Sequence, residues 1–160
     1  MPYKRLLSAK ILDWCIKTGR FNFVKDTCCD PDMIKSRLEQ LKGSDLMMFN
    51  ANAQTFLYSL QNGAAGYSGI MANIHPDLLA YIQNNYNAKP PECQKLSNIL
   101  SMAAFTESPA YPCTAKYYLE KEGIKMDTYS RSSDKKLLTP YQKLVFDQLY
   151  ELNTEIRKGL

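Results

Sequence analysis

The chain has 160 residues, of which 45% are apolar and 22% charged, and a formal net charge of +4. Those values fit a soluble globular protein with one sizeable core. They argue against a membrane protein, because no apolar run approaches the ~18 residues a spanning helix needs. They argue equally against a nucleic-acid binder, because the basic residues form no dense block and do not interleave with aromatics.

The N-terminus, Met1-Pro2-Tyr3-Lys4-Arg5-Leu6, lacks the long apolar stretch and cleavage site of a signal peptide. Cysteines stand at 15, 28, 29, 93 and 113, an odd number without a Cys-x-x-Cys pair. Free thiols in a reducing cytoplasm are expected. His75 is the sole histidine and has no cluster of ligand-type residues around it, so no metal site is expected.

In chain order, residues 4–18 read as a helix with Leu7, Ile11 and Trp14 on one inward stripe and Gly19 as its stop. Phe21 to Lys25 reads as a short buried strand. Asp30-Pro31-Asp32 is a strong helix start: a capping acid, a proline at the first helical position and an acid on the helix dipole. Ile34, Leu38 and Leu41 form that helix's apolar stripe, and Gly43 ends it. Asp45 to Asn50 is the next strand, and a helix follows from about Ala53 to Asn62 with Phe56, Leu57 and Leu60 inward. Ala65 to Met71 reads as a third strand, and Pro76 opens a helix carrying Leu78, Leu79, Ile82 and Tyr86. Strands about 20 residues apart with a helix in each gap are the pattern of parallel βαβ units. After residue 90 only helices are expected, at 92–105, at 110–122 and from Thr139-Pro140 onward. The last has Val145, Leu149, Leu152 and Ile156 on its stripe, and Asp127 to Lys136 is a polar loop. Three parallel strands neither close a barrel nor make a comfortable doubly wound sheet, so the pattern reads as an incomplete fold.

Three groups of residues can carry chemistry. Lys25 ends an apolar strand, and in parallel α/β folds ligands bind at the carboxyl ends of strands. A lysine amine drawn out of water is a nucleophile toward carbonyls; the alternative is a lysine that simply emerges into solvent. Asn50-Ala51-Asn52 follows the second strand, where two amides can bind a substrate carboxylate or hydroxyl, or cap the next helix. Gly63 to Gly69 is rich in glycine, but its glycines close a helix and lead into a strand, the reverse of a phosphate loop. Small residues at Ser68 and Gly69 suit close approach of a ligand or of another stretch of backbone. His75-Pro76 reads as a helix start, with the histidine structural or facing solvent, and Met47 and Met48 read as core.

Taken together, these segments resemble the dihydrodipicolinate synthase / N-acetylneuraminate lyase family of class I, Schiff-base-forming aldolases, in its C-terminal portion. Phe23-Val24-Lys25-Asp26-Thr27 looks like the family's sixth strand, ending in the Schiff-base lysine. Leu46 to Asn50 looks like strand seven, and Gly63 to Asn73 like the glycine-rich approach to strand eight. Ala110 to Lys116, the helix after it and Gly123 resemble the C-terminal helical segment. The resemblance implies an α/β fold: a partial (β/α)8 TIM barrel, strands six to eight, followed by C-terminal helices. Residues 1–89 would be barrel and 90–160 the helical extension.

The resemblance also implies Lys25 as the catalytic amine, with Asn50, Asn52, Ser68 and Gly69 as substrate contacts. The substrates would be pyruvate or a related 2-keto acid and an aldehyde, with no cofactor or metal, no nucleic acid and no membrane. The working form would be a homo-oligomer or would need the missing N-terminal half-barrel. Pro2 and Lys4 resemble the tail of the motif after the fifth strand; the proton-relaying tyrosine before it is missing, and Tyr3 lies on the wrong side of the proline to replace it. Asn50-Ala51-Asn52-Ala53 also departs from the acidic stretch many members carry after strand seven, which leaves the substrate open. The competing expectation is a truncated, non-catalytic remnant or interaction scaffold. An unrelated small α/β binding domain would need a phosphate loop or basic groove, and the sequence has neither.

Overall fold

The structure, a computed structural model, describes residues 5–106 and 110–160; Pro2, Tyr3 and Lys4 lie outside them. Helix α1 (Ala9–Thr18) starts where the Ser8 hydroxyl accepts a hydrogen bond from the Ile11 amide, and it ends at Gly19, in the left-handed conformation at φ 62°. Strand β1 (Phe23–Asp26) leads to α2 (Pro31–Leu41), capped by Asp30, whose carboxylate accepts from the amides of Asp32 and Met33. Then come β2 (Met47–Asn50), α3 (Phe56–Gln61), β3 (Gly66–Tyr67), a 3-10 turn over Ile70–Asn73 and α4 (Pro76–Asn85). Helices α5 (Pro90–Ala103), α6 (Cys113–Lys121) and α7 (Pro140–Lys158) complete the chain.

The strands form one parallel sheet in the order β1-β2-β3. Lys25 lies opposite Phe49 and Asp26 opposite Asn50, while Phe49 lies opposite Gly66 and Asn50 opposite Tyr67. Side chains alternate along a strand, so Val24, Asp26, Met48, Asn50 and Tyr67 share one face. Phe23, Lys25, Met47, Phe49 and Gly66 share the other.

The first face is covered. Met48 packs with Leu12, Ile34, Leu38, Leu41 and Leu46, an apolar layer supplied by α1, α2 and β2. A second cluster joins Phe56, Leu60, Leu79 and Ile82 to Leu96 and Leu100 of α5. A third gathers Met71, Ile74, Tyr118, Phe146 and Leu149 under α6 and α7. Each such large side chain contributes roughly 1.5–3 kcal/mol when fully buried. The second cluster spans residues on both sides of position 90.

Four sequence expectations change. Helix α1 begins at Ala9 and buries Leu12, whereas Ile11 and Trp14 are 52% and 57% exposed and Leu7 precedes the helix. The helix carries two apolar stripes, and only one meets a surface among the described residues. Strand β1 is an edge strand with Phe23 58% exposed, not a buried one, because none of the described residues pairs with its far side. The third strand holds two residues instead of seven. At Gly69 the backbone passes so close to the Ala51 carbonyl and the Tyr67 ring that no Cβ fits, and the chain turns into the 3-10 segment. On α7 the buried stripe is Phe146, Leu149 and Asn153, and Leu152 faces outward.

Candidate active site

Lys25 is the third of the four residues of β1, at the carboxyl half of the strand. Its side chain is exposed, on the face away from the helices, and makes no hydrogen bond or ion pair among the described residues. Its cross-strand neighbour is Phe49, whose ring meets Phe23 edge-on at 5.7 Å. The amine therefore rises from an aromatic floor at the end of the sheet where parallel α/β folds bind ligands.

Asp26, one residue on, points the opposite way and is 3% exposed. It is ion-paired with Arg37 of α2, and its second oxygen accepts from the Cys28 amide at 2.8 Å. Burial works against the ionised carboxyl, but the Cys28 hydrogen bonds and the Arg37 charge outweigh it and hold its pKa below the usual range. Arg37 also donates to the Leu7 carbonyl at 2.7 Å, so this pair ties β1, α2 and the segment before α1 together. Arg37 was missed in the sequence. Its signal was an arginine set among Ile34, Leu38 and Leu41 on a buried stripe, where a guanidinium needs a carboxylate partner. Cys28, beside Asp26, has its thiol pushed up to about 11 by burial and by that carboxylate, so it stays protonated and is no competing nucleophile.

Asn50 sits on the same rim as Lys25, but its amide is on the helix side and 1% exposed. It donates to the Thr55 hydroxyl at 2.9 Å and accepts from the Asn52 amide at 2.8 Å. The Asn52 side chain accepts from the Thr55 backbone at 3.0 Å and donates to Gln54 at 2.6 Å. Both amides take part in the hydrogen bonds of the turn that leads into α3. Ser68, just past β3, is half-buried. Its backbone amide donates to the Asn50 carbonyl at 2.8 Å, leaving the hydroxyl without a partner among the described residues. Gly69 adjoins it and is fixed as glycine by the contacts described above.

Lys25 borders a cleft of about 70 Å³, shared with Leu7, Val24, Asp26 and Thr27. Ligand pockets usually measure ~300 Å³ or more, so this cleft is small for a substrate. Among the described residues, no three His, Cys, Asp or Glu side chains gather as metal ligands, and no helix is long and apolar enough to cross a membrane.

His75 plays a structural part the sequence left open. It is fully buried before α4 and contacts the Asn153 amide nitrogen at 2.9 Å, and that nitrogen also donates to the Tyr118 hydroxyl at 2.5 Å. Burial lowers its pKa to about 4. The partners lie 78 positions apart, so no local pattern announces them.

Solved structures share this architecture. The chain superposes with a TM-score of 0.80 on the 4-hydroxy-tetrahydrodipicolinate synthase from Methylacidiphilum fumariolicum SolV, at 17% identity, over 95% of this chain and 51% of that one. Dihydrodipicolinate synthase from Thermotoga maritima gives 0.76 at 14% identity, covering 89% and 50%. A dihydrodipicolinate synthase family protein from Coccidioides immitis gives 0.73 at 21% identity, covering 96% and 53%. No family model matches the sequence, and no curated protein does. At these identities the likeness establishes the fold, and the chain spans about half the length of the structures it matches, consistent with a C-terminal portion.

Proposed function

We propose that this chain carries the reactive lysine of a class I aldolase or lyase, acting on pyruvate or a related 2-keto acid within a larger barrel in which its strands are the sixth to eighth. The observation that carries this reading is Lys25 itself: exposed, free of ion pairs among the described residues, and raised on the bare face at the carboxyl end of a parallel strand. In its neutral form the amine adds to the ketone carbon of the keto acid. Loss of water leaves an iminium; in a 4-hydroxy-2-keto acid the 4-hydroxyl then loses its proton, the C3–C4 bond breaks, C4 leaves as an aldehyde, and the electron pair left on C3 passes into the iminium. The resulting enamine is protonated, and water hydrolyses the adduct to return the amine. Run in reverse, the enamine adds to an aldehyde.

Ser68 and the backbone at Gly69 are the proposed substrate contacts, and Asn50 and Asn52 hold the rim loop in place. Asp26 is committed to Arg37, so protons must move through other groups. A reducing cytoplasmic setting fits the five free cysteines and is part of the proposal.

The second reading is a non-catalytic remnant or scaffold, favoured by the small cleft at Lys25. Intact mass after incubation with pyruvate and borohydride separates the two, with Lys25→Ala as control. The enzyme reading expects a reduced pyruvate adduct on the wild type alone once the barrel is complete. A completed barrel that gains no adduct, or gains it equally in Lys25→Ala, sinks the catalytic role.

A further inference from the structure

We infer that Cys28 and Cys29, adjacent in the loop between β1 and α2, form a dithiol site that binds a monosubstituted trivalent arsenical through both sulfurs. The inference rests on the two thiols and not on the chemistry of Lys25.

Position supplies the first reason. Cys29 is exposed and Cys28 half-buried, whereas Cys93 and Cys113 are 0% exposed. Cys15 stands on α1 with no cysteine beside it in the sequence. The loop that carries the pair is anchored at both ends: the Cys28 amide donates to Asp26 at 2.8 Å, and Asp30 caps α2. Between those anchors Cys29 has φ 60°, and among the described residues no other non-glycine residue lies in the left-handed region. Both thiols are easily released. Cys28 donates forward to the Asp30 carbonyl at 3.6 Å and Cys29 back to the Thr27 carbonyl at 3.5 Å, each a weak S–H bond that leans along the chain past the other's residue. Thr27 also borders the cleft at Lys25, so the pair lies on the rim of that cleft.

Geometry and softness choose the ligand. Neighbouring Cα atoms stand about 3.8 Å apart, short of the roughly 4.4 Å that a disulfide needs, so the pair resists closing directly on itself. An atom bridging the sulfurs makes a larger ring and removes that misfit. Zinc calls for four ligands in a tetrahedron, and no three ligand-type side chains gather among the described residues. Soft sulfur ligands select a soft centre, and arsenic(III) with one organic substituent has two exchangeable positions for two sulfurs. As its dihydroxide it condenses with the thiols: two As–S bonds form, two As–O bonds break, and each hydroxide leaves as water with a thiol proton. No oxidation state changes, so no oxidant or reductant enters. Exposed Cys29 takes the first position. Burial and the Asp26 carboxylate keep the Cys28 thiol protonated, with its pKa at about 11. Its step is intramolecular, however, and proximity offsets its weak nucleophilicity.

The test is intact-mass spectrometry of the reduced, folded chain after incubation with phenylarsine oxide, before and after a wash with excess β-mercaptoethanol, followed by peptide mapping. The comparison is with Cys28→Ser, Cys29→Ser and Cys29→Gly, the last because glycine accepts the left-handed backbone and keeps the loop. Circular dichroism checks each fold. The expected result is one adduct, equal in mass to one phenylarsine oxide less one water, on the peptide that holds both residues. It survives the monothiol, which competes only for single As–S bonds, and dithiothreitol removes it. Each variant keeps one of the two thiols and loses retention by about a hundredfold. Three results overturn the inference: no adduct on the wild type, an adduct that maps to Cys15, Cys93 or Cys113 instead, or an adduct that survives the monothiol wash in the variants.

Discussion

On the helix side of the sheet, Met48, Asp26 and Asn50 are buried to within a few per cent, packed or hydrogen-bonded on every side. One residue away along the same strands, Phe23, Lys25 and Met47 stand in solvent. Composition does not explain the contrast, since aromatic and methionine side chains are as apolar as those beneath the helices. What differs is whether a neighbouring layer exists to receive them. In a parallel sheet both faces ordinarily carry apolar residues because both are covered; among the described residues only one face of this sheet is covered.

The largest expected effect lies on the covered side. Arg37→Ala leaves Asp26 buried without its cation and is expected to cost about 3–5 kcal/mol in urea unfolding. A loss below about 1 kcal/mol would mean that water reaches Asp26.

The sharpest contrast comes from paired truncations. Met48→Ala should cost about 2–5 kcal/mol, whereas Phe23→Ala in the isolated chain should fall within about 0.5 kcal/mol. Equal costs would break the comparison, because they would mean that the Phe23 face is already packed.

Acid gives a third handle, on the C-terminal helices. His75 has its pKa lowered from 6.5 to about 4 by burial, with Asp77 and Arg157 as the charges nearest it. The unfolded chain therefore binds the extra proton first. Stability is full above about pH 6.5 and falls as the pH drops toward 4, by about 3 kcal/mol. Asp26 and Asp77, whose pKa values are lowered below 3.8, contribute only at still lower pH. Urea midpoints measured across that range should slope in the wild type and flatten in His75→Gln. A wild-type midpoint that is level from pH 7 to 4 would contradict the buried, neutral imidazole. The smallest effect is Ser8→Ala, which removes the α1 cap and should cost about 1 kcal/mol.

Much of the architecture was legible from local signals. The starts of α2, α4 and α7 were each announced by a proline at the first helical position, after Asp30, His75 and Thr139. The parallel sheet followed from strands spaced by single helices, and Lys25 was visible as a charge late in an apolar strand, which runs one residue further to Asp26. What could not be read depended on distant or absent neighbours. Whether Ile11, Trp14 and Phe23 are core or surface is decided by the layer beside them, not by their periodicity. The two-residue length of β3 left no mark in the run of small residues from Ala65 to Met71. The Asp26–Arg37 and His75–Asn153 pairings join residues far apart in sequence.

The most direct test of the half-covered sheet is residue-resolved amide hydrogen exchange along β1 in the isolated chain. Val24 and Asp26 should be protected, and Phe23 and Lys25 should exchange far faster, at rates near those of open chain. Equal protection at all four amides would show that the outer edge of β1 is already paired, and would contradict the account.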